Sequence, residues 1–304
     1  MKASFFALLG LLLSPVTSAA AILRPASSSS SSSSNSLHAR GGAAAAAARH
    51  PVPWVKVLYG MAKFFPFSIV VDGVGEAMLA MERLVAAEFG IETTRNSVLD
   101  ARQQCADVAI VFARGTNEAG NVGVLVGPDF FNAVARRLGS SASLAVQGVD
   151  YEAKTATYFL GGDTAGGANM AALVTRALAS CPRTKLVMVG YSQGAQLVHR
   201  AAGLLPAAAA ARVAAVVTFG SPAHGKPVPS TPPSRQLSIC HAGDHICRGG
   251  GHLLALSHFT YADDAARAAS FVVARLSEQV PLVYNHLGSE NASRFCPDGR
   301  GIVI

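Results

Sequence analysis

The sequence predicts an α/β protein, one domain built on a mostly parallel sheet covered by helices on both faces. Two observations carry this. From about residue 93 to 276, short continuous apolar runs alternate with stretches of helical periodicity, the pattern of strands buried on both sides. A G-x-S-x-G pentapeptide, Gly190-Tyr191-Ser192-Gln193-Gly194, also stands directly between one such run and a helical segment. Composition sets the bounds. The chain has 304 residues, 50% hydrophobic and 14% charged, with a mean hydropathy of +0.34. That excludes wholesale disorder and is enough to bury a sizeable core.

In chain order, residues 1–20 read as a secretory signal peptide. Lys2 supplies the charge, Phe5–Leu13 the short apolar core, Pro15 the break, and Thr17 to Ala20 the small residues. The apolar run is far shorter than the ~20 residues that span a bilayer. Lys56, Lys63 and Pro66 interrupt the next apolar segment. A secreted, extracellular protein with no stable membrane insertion is therefore expected. Residues 21–50, with the run Ser27–Ser34 and the stretch Gly41–Ala48, read as a low-complexity linker or pro-segment. Residues 51–92 form an N-terminal extension of unknown role. Within it Glu76 to Glu88 has helical spacing, with Met78, Met81, Leu84 and Val85 on one side, and no chemistry is visible there. Trp54 and the Phe64 to Phe67 cluster read as packing.

The strands expected in the α/β region are Val108–Phe112, Leu144–Val149, Leu186–Val189, Val213–Phe219 and Leu237–Cys240. Helices are expected over Phe130–Leu138, around Met170, Leu173, Val174, Ala177 and Leu178, over Ala195–Ala202, and over Asp263–Leu276. The polar tail 277–304 carries a glycosylation sequon, Asn291-Ala292-Ser293. The net charge of +7 comes from scattered basic residues, so no nucleic-acid partner is expected.

Because the pentapeptide follows a strand and opens a helix, it reads as a nucleophile elbow, a strained turn that lifts the Ser192 hydroxyl above the sheet. The alternative is an ordinary glycine-rich turn. A serine needs a base, and the base an orienting acid, in the chain order Ser, Asp or Glu, His. Between Ser192 and the helix at 263 the only Asp or Glu is Asp244. His199 and His224 precede it, and His241 and His245 lie too close to it in sequence. His258 is separated from Asp244 by residues 245–257 and can fold back over the elbow. His252 competes with it, and sequence position does not exclude it.

These residues resemble the cutinase family of secreted fungal serine esterases. The motifs that carry the likeness are Thr93-Thr94-Arg95-Asn96, Cys105-Ala106-Asp107, Ala113-Arg114-Gly115-Thr116, the Ser192 pentapeptide and Cys240-x-x-Gly243-Asp244-x-x-Cys247. The resemblance covers about 93–276 and implies an α/β-hydrolase-like three-layer sandwich with no large lid. It implies Ser192 as nucleophile, Asp244 as acid and His258 as base. It also implies an oxyanion hole from the backbone amides of Thr116 and Gln193, helped by the Thr116 hydroxyl. Ser257 stands where relatives carry Pro, and Thr116 where many carry Ser.

Of the five cysteines, the resemblance pairs Cys105 with Cys181 and Cys240 with Cys247, leaving Cys296. No metal is expected: Cys240, His241, His245, Cys247 and His252 match no zinc spacing, and an oxidising compartment favours disulfides. No cofactor is required. The expected activity is hydrolysis of cutin polyester and short-chain esters by a monomer. Tyr158, Phe159 and Leu160, with Leu253, Leu254 and Leu256, form apolar lips if both loops flank Ser192, and the alternative is that they belong to the core. The alternatives are an acetylxylan esterase and an inactive plant-recognition protein on the same scaffold.

Overall fold

A computed structural model of the chain describes residues 69–70, 75–98, 105–249, 251 and 253–278. The leader, the serine run, Trp54, Asn291, Cys296 and His252 lie outside them.

Five strands form one parallel sheet: β2 (Val108–Ala113), β3 (Leu144–Gly148), β4 (Lys185–Tyr191), β5 (Val213–Phe219) and β6 (Gln236–Ile239), in the order β3-β2-β4-β5-β6. Every residue of β2 and β5 is buried, as expected for continuous apolar runs covered on both faces. The pleat sends alternate side chains to opposite sides. Val108, Ile110 and Phe112 of β2 face one layer, and Val111 and Ala113 face the other. A short antiparallel pair, β1 (Ile69–Val70) with β7 (Leu253–Leu254), stands apart from the sheet.

The first layer holds helices α1 (Gly75–Phe89), α2 (Gly127–Leu138) and α7 (Ala265–Glu278). Between them they contribute Ala86, Phe130, Phe131, Val134, Ala269 and Val272. The second holds α4 (Thr164–Ser180) and α5 (Gln193–Leu204). Each large apolar side chain so enclosed stabilises the fold by about 1.5–3 kcal/mol. On α4 the expected face, Met170, Leu173, Val174, Ala177 and Leu178, is the buried one. Asp163 caps its start by accepting the Gly166 N–H at 2.7 Å. The two shorter helices are α3 (Thr155–Phe159) and α6 (Ala207–Ala211). This is the α/β-hydrolase-like sandwich.

Of the face expected on the 76–88 helix, Val85 packs inward while Leu84 is 57% exposed. Leu79, Ala86 and Phe89 pack inward as well, and Glu82 is buried with them. Cys105 and Cys181 are joined, tying the segment before β2 to the end of α4. Among the described residues no helix is long and apolar enough to cross a membrane.

Candidate active site

The pentapeptide begins inside β4, and only at Ser192 does the chain turn into α5. Ser192 sits at φ +55°, ψ −118°, a conformation that non-glycine residues rarely adopt. The two flanking glycines keep the turn closed. A Cβ at Gly190 would lie 2.3 Å from the Gly194 carbonyl oxygen, and one at Gly194 would lie 2.0 Å from that of Ala113.

His258 lies in the loop before α7, with Nε2 2.9 Å from Ser192 Oγ and Nδ1 2.8 Å from Asp244 Oδ2. Asp244 follows the end of β6 and His258 follows β7, so the three side chains meet beyond the carboxyl ends of the strands. They are buried together. The arrangement is a hydroxyl, an imidazole and a carboxylate in one hydrogen-bonded line, suited to moving a proton off the hydroxyl.

Asp244 is braced from several sides. Oδ1 accepts the Ile246 N–H at 3.0 Å. Oδ2 accepts the Tyr261 hydroxyl at 2.6 Å and the Cys247 thiol at 3.0 Å, besides His258. Burial pushes the Asp244 carboxyl up. The hydrogen bond and charge of His258, then Cys247 and Tyr261, outweigh it and bring the pKa down to about 2. His258 is held from behind by Tyr191, whose hydroxyl donates to the His258 carbonyl at 2.8 Å.

Thr116 and Gln193 meet beside Ser192. Gln193 is fully buried; its Nε2 donates to the Lys154 carbonyl at 2.8 Å and to Thr116 Oγ1 at 3.3 Å. Because Thr116 Oγ1 accepts there, its own proton is left to donate elsewhere.

A family model described as Cutinase matches residues 104–276. The chain belongs to the cutinase family. It is a serine ester hydrolase. It is 43% identical over 205 residues to cutinase pbc1 of Pyrenopeziza brassicae, spanning 67% of this chain and 98% of that one. It is 52% identical over 168 residues to a cutinase of Botryotinia fuckeliana, 55% of this chain and 82% of the relative. Among solved structures it is similar to Trichoderma reesei cutinase in complex with a C11Y4 phosphonate inhibitor, with TM-score 0.60 and 41% identity, covering 73% of this chain and 99% of that one.

Within this family member one expectation is overturned: Cys240 and Cys247 are not joined, and both carry free thiols. The Cys247 sulfur is turned inward instead, 3.0 Å from both Asp244 Oδ2 and the Tyr261 hydroxyl. Burial, then the hydrogen bond to Asp244, drives its pKa up, so it stays a proton donor to the carboxylate. Among the other residues weighed as metal ligands, His241 is engaged elsewhere. His241 points Nε2 at Asp264 (2.5 Å) and Nδ1 at the Ser257 carbonyl (2.8 Å), with its ring stacked on Tyr261 at 4.0 Å.

Sequence reasoning gave no role to Tyr191, Tyr261, His241, Glu118 or Glu82. Tyr191 is the second residue of the pentapeptide, and Tyr261 stands three residues after His258. A tyrosine in an apolar stretch does not advertise what its hydroxyl will bond.

Proposed function

We propose that this protein is a secreted cutinase-type esterase that hydrolyses cutin polyester and short-chain esters through an acyl-enzyme. The supporting observation is the Ser192 Oγ to His258 Nε2 contact of 2.9 Å, continued to Asp244 at 2.8 Å. Ser192 Oγ attacks the ester carbonyl carbon while His258 Nε2 accepts the hydroxyl proton. The tetrahedral intermediate collapses, the carbon–oxygen bond to the alcohol breaks, and His258 returns the proton to the departing alkoxide. A water then gives its proton to His258 and attacks the acyl-enzyme, releasing the acid and regenerating Ser192. Asp244 fixes the imidazole orientation and tautomer throughout. The backbone amides of Thr116 and Gln193, with the Thr116 hydroxyl, receive the charge that develops on the carbonyl oxygen.

The apolar rim favours an acyl or polyester substrate over the acetyl groups of a xylan. Phe159 is 38%, Leu160 76% and Leu253 43% exposed. Beneath them Tyr158 packs with Ile246 and Leu254, joining α3 to the loop that follows Asp244. A phosphonate ester should label the folded protein stoichiometrically at Ser192, and turnover should rise from acetyl to butyryl esters. An unlabelled folded protein would instead support a recognition role, and activity on acetyl esters alone the xylan reading.

The Thr116 role has its own test. Thr116→Val keeps the shape and deletes the hydroxyl, and is expected to lower kcat by roughly a hundredfold with KM little changed, the cost of one oxyanion donor. Full activity in the valine variant would leave only backbone donors in the mechanism.

A further inference from the structure

Helix α1 lies outside the span 104–276 matched by the family model, yet it sends one carboxyl deep into the catalytic domain. Glu82 is 3% exposed, and its Oε2 accepts the Ala119 N–H at 3.0 Å. Its other oxygen, Oε1, is buried without a hydrogen-bond partner. An acid on the inner face of an amphipathic helix costs desolvation free energy that Gln or Leu would avoid.

What Glu82 touches is the loop that carries Thr116. That loop is wrapped around a second enclosed carboxyl, Glu118. Glu118 Oε2 accepts the Gly115 N–H at 2.6 Å, and Oε1 accepts those of Val124 and Leu125 at 2.9 and 2.8 Å. A Cβ at Gly123, where φ is +67°, would lie 2.3 Å from Glu118 Oε1, so the chain closes on the carboxyl with no space to spare. The Glu118 carbonyl in turn accepts Arg114 Nε at 2.8 Å. Thr116 is thereby pinned on both sides, through the Gly115 N–H on Glu118 and the Asn117 N–H on the Ala153 carbonyl at 2.8 Å. Glu82 holds the residue after Glu118.

The two carboxyls are not equivalent. Burial, then the neighbouring Glu118, pushes Glu82 well above the usual range. Burial raises Glu118 too, against three backbone N–H groups and Arg114 that favour its charge. Glu82, with a single backbone N–H on it, has fewer partners that favour its charge than Glu118.

We propose that Glu82 is a positioning residue for ester hydrolysis: from α1 it sets the Arg114–Leu125 loop so that Thr116 faces the carbonyl oxygen of the substrate bound at Ser192. This rests on the reading of Thr116 as an oxyanion donor. A donor displaced by about 1 Å loses much of its effect on the transition state and little on substrate binding.

The test compares Glu82→Gln, Glu82→Met and Glu82→Asp for kcat and KM on p-nitrophenyl butyrate and for thermal unfolding. Gln presents an acceptor oxygen at the same reach from α1 and should keep kcat within about threefold. Met deletes the acceptor and Asp withdraws it by one methylene; each should lower kcat roughly ten- to a hundredfold with KM within about twofold. Asp serves as the reading should the Met variant fail to fold. Affinity for a trifluoromethyl ketone, whose adduct with Ser192 carries the same oxyanion, should fall by the same factor as kcat. Adding Thr116→Val to Glu82→Asp should cost less than the product of the two single effects. Met or Asp variants that melt earlier but keep wild-type kcat would make Glu82 a packing residue and overturn the proposal, as would a raised KM with kcat unchanged. If Thr116→Val alone has no effect while Glu82→Asp still lowers kcat, the oxyanion reading of Thr116 fails separately.

Discussion

Ser192→Ala is expected to lower kcat for ester hydrolysis by several orders of magnitude, toward the roughly millionfold cost of removing a serine nucleophile elsewhere, with the protein still folded. The oxygen deleted is the one 2.9 Å from His258 Nε2, and among the described residues no other hydroxyl bonds that nitrogen. Alanine keeps the Cβ, so the strain at φ +55° is unchanged and gives no reason for the turn to relax. The Ser192 N–H bond to the Phe219 carbonyl at 2.9 Å also persists. Residual catalysis from binding and oxyanion donors alone remains possible at a level far below wild type. Steady-state rates on a butyryl ester, read beside a thermal melt, decide the matter. Activity within about tenfold of wild type in a folded variant would remove Ser192 from the chemistry.

Asp244→Asn should lower kcat about ten-thousandfold, as it does when the acid of such a triad is made neutral. The wild-type carboxylate accepts from four donors: the Ile246 N–H, the Tyr261 hydroxyl, the Cys247 thiol and His258 Nδ1. An amide has one oxygen to offer. Turned one way its NH2 group faces the Ile246 N–H; turned the other it faces Tyr261, Cys247 and His258 Nδ1, and the imidazole loses the acceptor that selects the tautomer with a free Nε2 lone pair. In either orientation the negative charge that stabilises the imidazolium is gone. The same carboxylate has a pH signature. Its folded value, about 2, lies below the roughly 3.9 of an unfolded aspartate. Its contribution to stability is therefore complete above about pH 4 and is lost as pH falls through about 2. Acid unfolding of the Asn variant should lack that component. A variant that keeps wild-type kcat would show that His258 needs no orienting acid.

The sheet and the Ser192 elbow were legible because both follow local patterns: β5 has the expected bounds, and Gly190 is required by the backbone of Gly194, four residues on. Asp244 was legible by elimination, since it has no acidic rival in its interval. What was hidden depends on contacts between distant residues. Glu82 drew no reading, because nothing local distinguishes an acid aimed at water from one aimed at the Ala119 amide, 37 positions away. Tyr261 and Tyr191 were read past for the same reason. The Cys240–Cys247 pairing came from resemblance, and spacing is silent on whether Cys247 turns to its fellow thiol or to Asp244.

The parallel sheet has a consequence for how the protein acquires its activity. Thr116 follows β2, Ser192 follows β4, Asp244 follows β6 and His258 follows β7. No contiguous fragment short of most of the domain carries the full set, and the contacts that join them are long-range ones that form late and slowly. A nascent or partly folded chain therefore has no ester-cleaving centre to expose, only an isolated serine without its base. The proposed centre is complete only when the segments after β2, β4, β6 and β7 have all come together.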